Sequence, residues 1–376
     1  MNPRYLTRSK PLFPFRLLTI IAWCVGLVLT ATSAQSQDRV TIEKARELIE
    51  ALMVETHAPG VAVSIGIKGE IVWSEGFGYA DVEQESPVTS ANTKFRIGSV
   101  SKPMTAVAIG RLYEEGKLDL DAPVQKYVPS FPVKPQGVIT TRLLAGHLAG
   151  IRHYKNDEFL STRHYPTVSE GLDIFKDDPL LHAPGSAYSY SSYGWNLISV
   201  VVENVADQEF LSYMDEYVFE PAGMTNTVAD FVTPIIPNRT GYYESTSSGI
   251  QNTPYVDNSY KWAGGGFLST SDDLIRFGFA HLNSDYLNPE TVEILWTPQT
   301  TTAGDNTGYG IGWTYRADGF GRFFAGHNGG SVGGTTTFAI YPDDQVVVAV
   351  IANMSDARLG PIAAQLADLF YSCCVE

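Results

Sequence analysis

The chain has 376 residues, 44% hydrophobic and 18% charged, with a formal net charge of −15. That is ample apolar material for a large core and excludes a disordered or low-complexity chain. So acidic a surface repels nucleic acid and anionic lipid, which removes both as expected partners.

Residues 1–34 read as a signal peptide. Arg4, Arg8, Lys10 and Arg16 form a basic start without acids, Leu17 to Leu29 is apolar, and Thr30-Ala31-Thr32-Ser33-Ala34 offers small residues for cleavage. The apolar run is short of the roughly twenty residues a membrane span needs. The expectation is an exported chain, periplasmic or secreted, with an uncleaved N-terminal anchor as the alternative. Removing the segment takes away four basic residues and no acid, which deepens the negative charge. Of the three cysteines, Cys24 lies in that segment, and the neighbours Cys373 and Cys374 do not bridge each other without strain.

Residues 41–55 predict an amphipathic helix with Ile42, Ala45, Leu48, Ile49 and Leu52 on one face. Residues 61–67 and 70–79 predict paired strands about a Lys68-Gly69 turn. Phe95-Arg96-Ile97-Gly98 then predicts a strand or loop end before a helix that runs to Tyr113, with Ser99 at its mouth. Residues three apart share a helix face, so the Lys102 amine can reach the Ser99 hydroxyl. Pro103 falls in the first turn, where its missing N–H costs no intrahelical bond. A serine hydroxyl needs a base to become a nucleophile, and a lysine serves once burial lowers its pKa. Taken alone, Ser-x-x-Lys reads more simply as a serine helix cap followed by an exposed lysine.

The middle of the chain carries more helix signals. Tyr190, within Pro184 to Asn196, is either an aromatic lid or a proton shuttle made easier to ionise by a nearby lysine. Residues 200–217 predict a helix and 234–259 a long loop beside a site. Residues 268–277 open a further helix with a Ser/Asp cap. Strands are predicted at 311–315, 322–325, 335–340 and 346–351, and a last helix at 359–370. Gly326-His327-Asn328-Gly329-Gly330-Ser331-Val332-Gly333-Gly334 between two of these strands is either a hairpin turn or backbone lying close to a ligand. It lacks the Gly-Lys-Ser/Thr of a phosphate loop, and Gly264-Gly265-Gly266 lacks dinucleotide-site spacing. Strands near both ends around a helical middle predict an α+β domain over 35–376. Its sheet lobe covers about 35–100 and 305–376, its inserted helical lobe about 101–304, with a cleft between them.

In this order and spacing the three stretches resemble the active-site serine β-lactamase and penicillin-binding-protein superfamily, in its class C-like branch of peptidase S12 type. Ser99 and Lys102 match its first motif, Tyr190 opens its Tyr-x-Asn motif, and His327 with Gly329 matches its His-x-Gly variant. Residues 116–129 and 140–154 are similar to the mitochondrial-type group of that branch. The resemblance implies a β-lactamase-like fold with a central antiparallel sheet and flanking helices. It also implies a serine hydrolase that forms an acyl-enzyme on a small-molecule or peptide substrate, without metal or organic cofactor. Ser99 would attack, Lys102 and Tyr190 would move the proton, and the N–H groups of Ser99 and Gly330 would form the oxyanion hole. His327, Gly329 and Ser192 would line the site, and His147 would bond a loop. Ser192 in place of Asn and His327 in place of Lys shift the expectation from β-lactams toward peptides and esters. A true β-lactamase and a non-catalytic penicillin-binding-like scaffold are the rival readings.

Overall fold

The computed structural model describes residues 39–374, and the segment read as a signal lies outside them. Seven strands form one sheet: β1 (Gly60–Ile67), β2 (Glu70–Asp81), β3 (Ser86–Pro87), β4 (Thr314–Ala317), β5 (Phe323–Ser331), β6 (Gly334–Tyr341) and β7 (Val346–Ala352). Their order is β3-β2-β1-β7-β6-β5-β4, and neighbours run antiparallel. The two parts of the chain meet where β1 pairs with β7, from Val61 opposite Ala352 to Ile67 opposite Val346.

Both of these strands are buried along their whole length because side chains alternate between two cores. Val61, Val63 and Ile65 of β1, with Val346, Val348 and Val350 of β7, face the helices α1 (39–56) and α5 (Ile362–Cys374). Ala62, Val347, Ala349 and Ile351 face the opposite way, toward the helical middle. There α2 (Ser101–Glu114) is buried on nearly all sides, with α3 (Ser192–Ala206) and α4 (Ser271–His281) packed into the same core. A helix buried all round has no need of a polar face.

Several expected elements differ in detail. The helix predicted over 200–217 begins earlier, at Ser192, and stops at Ala206, because Asp207 takes a left-handed φ of 54°. Residues Phe210–Met214 then start a separate helix. The loop predicted over 234–259 contains a hairpin, Tyr243–Thr246 against Gly249–Asn252. The cap of α4 is Thr270, which accepts from the Asp273 N–H, rather than a serine or aspartate. Gly326 to Gly330, read as lying between two strands, belong to β5 itself.

One buried ion pair fixes the approach to α2. Arg96 Nε donates to Asp230 Oδ2 at 2.7 Å, with both side chains almost fully buried. The same guanidinium donates to the Val332 carbonyl and lies 3.7 Å from the Tyr242 ring centroid. Removing one member of a buried pair leaves the other charge uncompensated. Arg96→Met should therefore lower unfolding free energy by about 3–5 kcal/mol in urea melts. A loss below about 1 kcal/mol would mean that the pair holds nothing together.

Candidate active site

Ser99 sits in the 3₁₀ turn Gly98–Val100 that leads directly into α2. The turn is reached by a two-residue strand, Phe95–Arg96, paired with Phe267–Ser269. Gly98 has φ +50°, and a Cβ there would lie 2.5 Å from the Gly330 carbonyl oxygen. A Cβ on Gly329 would come within 1.9 Å of the Ile97 carbonyl oxygen. Two glycines, one on each side, thus let β5 lie directly against the Ser99 turn.

Lys102 Nζ lies 2.9 Å from Ser99 Oγ, 3.3 Å from Ser192 Oγ and 2.7 Å from the Gly264 carbonyl oxygen. A neutral amine has two N–H groups and one lone pair for three such neighbours. The N–H groups suit Gly264 and Ser192, which leaves the lone pair for the serine proton. Lys102 is fully buried, and that desolvation, with the Lys261 charge nearby, holds its pKa well below the ordinary lysine value. The pairing expected from the i, i+3 spacing is therefore present, and the exposed-lysine alternative is not.

Tyr190 Oη donates to Ser99 Oγ at 3.0 Å, and its ring lies 4.9 Å from Lys102 Nζ. Burial raises the phenol's pKa, which the Ser99 hydrogen bond only partly offsets. The expected ease of ionisation is thus reversed: burial favours the protonated phenol of Tyr190, whereas it favours the neutral amine of Lys102. Two histidines hold this tyrosine in place. Ser191 N–H donates to His147 Nδ1 at 3.1 Å and Ser192 N–H to His153 Nδ1 at 3.2 Å. An imidazole accepts at Nδ1 only when neutral. Burial lowers His147 well below its usual value and His153 to about 4. The His147 ring lies 4.1 Å from that of Tyr190, tilted by 38°, and its bond from the Ser191 N–H is the loop contact expected of it.

A cavity of about 520 Å³ opens over Ser99, lined also by Tyr190, Ser192, Gly330, His153 and Lys261. His327 and Gly329, expected to line the site, do not border it. His327 stands one ring back, its Nε2 2.8 Å from Tyr309 Oη and its ring 6.4 Å from Tyr190. Burial, with Lys102 adding to it, lowers His327 to about 3, so it brings no positive charge. Gly329 serves by its missing side chain. His153, Gly264 and Lys261 join the site without having been anticipated. Gly264 lies in the glycine run whose only reading, a dinucleotide loop, its spacing had excluded. Among the described residues, no cluster of three His, Cys, Asp or Glu side chains is placed to hold a metal ion.

The β-lactamase family model matches residues 45–370, and the chain belongs to that family, within a wider superfamily of serine hydrolases and penicillin-binding proteins. Among its relatives, the human mitochondrial serine β-lactamase-like protein LACTB is 34% identical over 87% of this chain and 79% of its own length. Penicillin-binding protein 4* of Bacillus subtilis (strain 168) is 27% identical over 77% of this chain and 66% of its own. The octameric penicillin-binding protein homologue from Pyrococcus abyssi superimposes with a TM-score of 0.73 at 28% identity, covering 88% of this chain and 76% of that one.

If Lys102 acts as a neutral amine, covalent labelling of Ser99 should speed up as pH rises, along a limb lying below the ordinary lysine value of 10.5. Lys102→Ala should slow that labelling about 10²- to 10⁴-fold, the usual worth of a positioned base. A pH-independent rate, or a fully active alanine variant, would remove Lys102 from the role.

Proposed function

We propose that this chain is an exported serine hydrolase acting through an acyl-enzyme on a peptide or ester carbonyl. The observation that carries the reading is a desolvated lysine amine 2.9 Å from the Ser99 hydroxyl, beside a cavity large enough for a small substrate. In acylation Ser99 Oγ attacks the carbonyl carbon, and its proton passes to Lys102 Nζ. The carbonyl oxygen takes the negative charge and accepts from the N–H groups of Ser99 and Gly330, at a helix start whose field favours an anion. As the intermediate collapses, the bond to the leaving group breaks. Tyr190 gives that group its proton and is refilled from Lys102. Water then repeats the sequence on the acyl-enzyme, losing a proton to Lys102, releasing the acid and restoring Ser99.

Peptides and esters are favoured over β-lactams because His327, set back from the cavity, brings no positive charge and the helix start carries Ser192. The basic, apolar N-terminal stretch supports export; N-terminal sequencing of the protein from fractionated cells tests it, and an intact residue 1 would count against cleavage.

Intact-protein mass after fluorophosphonate treatment tests the chemistry. One adduct on the native chain and none on Ser99→Ala is the expected result; no adduct on the folded native chain would favour a non-catalytic binder. Tyr190→Phe separates the two proton transfers. Cleavage of an amide should fall about 10²- to 10⁴-fold, since the amine must leave protonated. Cleavage of a nitrophenyl ester should fall much less, because nitrophenolate needs no proton. Equal losses on both would deny Tyr190 the acid role.

A further inference from the structure

Lys261 is a second buried lysine on the wall of the same cavity. It ends the 3₁₀ turn Ser259–Lys261, directly before the helical turn Trp262–Gly265 whose Gly264 carbonyl holds Lys102. The residue is only 2% exposed, yet it borders the cavity together with Ser99, Tyr190 and Gly330. Its Nζ lies 4.3 Å from the ring centroid of Phe159, 5.3 Å from that of Tyr260 and 5.7 Å from that of Tyr154.

Three aromatic faces favour a cation, but they do not replace hydrogen-bond acceptors for its three N–H groups. Among the described residues, Lys261 Nζ has neither a hydrogen bond nor an ion pair. Asp230, which attracts it, is already engaged by Arg96 and Asn258. Glu244 and Asp356 border the same cavity without reaching ion-pair distance of it. Burial, with Arg96 pushing the same way, brings this amine down to about 7, and a bound anion would restore its charge. A buried amine lacking acceptors is costly in free energy. The residue that carries it lines the substrate cavity.

We infer that Lys261 anchors a carboxylate of the substrate, forming an anion subsite on the helical-lobe wall opposite the cation-free β5. The inference rests on the acyl-enzyme reading of Ser99 and narrows its substrate class to acyl donors that carry a free carboxylate. The carboxylate belongs either to the acyl portion or to the leaving group, and matched esters separate the two. One pair is the phenyl half-ester of adipic acid and its carboxamide. The other is 3-carboxyphenyl hexanoate and its 3-carbamoyl analogue.

In one pair, the native chain should favour the carboxylate in kcat/KM by about ten-fold or more, the worth of a charged hydrogen bond. Lys261→Met should collapse that ratio toward one, chiefly through KM, because the anchor lies away from the reacting atoms. Lys261→Arg, which keeps the charge, should retain part of the preference, and thermal melts of each variant report folding. An unchanged ratio in folded Lys261→Met, or no preference in the native chain, would overturn the subsite. If Ser99 turns over neither pair, the acyl-enzyme reading falls separately. Calorimetric binding of adipamate against adipamide then decides the subsite, which stands only if carboxylate-dependent binding is lost in Lys261→Met.

Discussion

Lys102 can act as a base only while water is kept from its amine, and keeping it dry takes elements from distant parts of the chain. α2 places it beside Ser99, the start of α3 brings Ser192 and Tyr190, and the turn before Phe267–Ser269 brings Gly264. Burial, with Lys261 pushing the same way, drives the amine toward its unprotonated form. An ammonium in this position would have little solvation and a second lysine nearby.

The same logic extends outward to the histidines. His147 and His153 act as acceptors for two consecutive backbone N–H groups at the start of α3, groups that a helix leaves without partners of its own. Because burial keeps both rings neutral, they cap the helix without adding positive charge beside Lys102. Gly98 and Gly329 serve in another way, by the volume they leave out. Their missing side chains set how near β5 comes to Ser99, and so where the Gly330 backbone can stand.

Local spacing made part of this legible. Ser99 and Lys102 are three residues apart on one helix, and that separation alone brings their side chains together. Runs rich in Val, Ile and Thr likewise showed β1, β6 and β7 as strands, and both faces of β1 and β7 are apolar because each side chain answers to one of two cores. The rest depends on contacts far apart in sequence. Lys261 and Gly264 reach the site only because Phe95–Arg96 pairs with Phe267–Ser269, and nothing in a four-residue helical turn signals that. The direction of the Tyr190 shift was misread because proximity to lysine is visible in a motif and burial is not. The glycine run of β5 resembles a turn for a related reason: what demands Gly329 is the Ile97 backbone, more than two hundred residues away in the chain. His327 has the residue type of a substrate contact and the surroundings of a packed ring.

The pairing of β1 with β7 also bears on how the molecule comes to exist. β1 emerges early in synthesis, but the strand that covers its inner edge is complete only at Ala352. Until then the hydrogen-bonding groups of that edge, and the apolar side chains meant for two cores, lack their native cover. Pairings between such distant segments close large loops and form slowly. The helix that follows Ser99, although made in the first third of the 376 residues, cannot gain its β5 wall until that late stage. The Ser99 site is therefore completed only late in translation, and until then the open edge of β1 is the kind of strand edge that invites pairing with other chains.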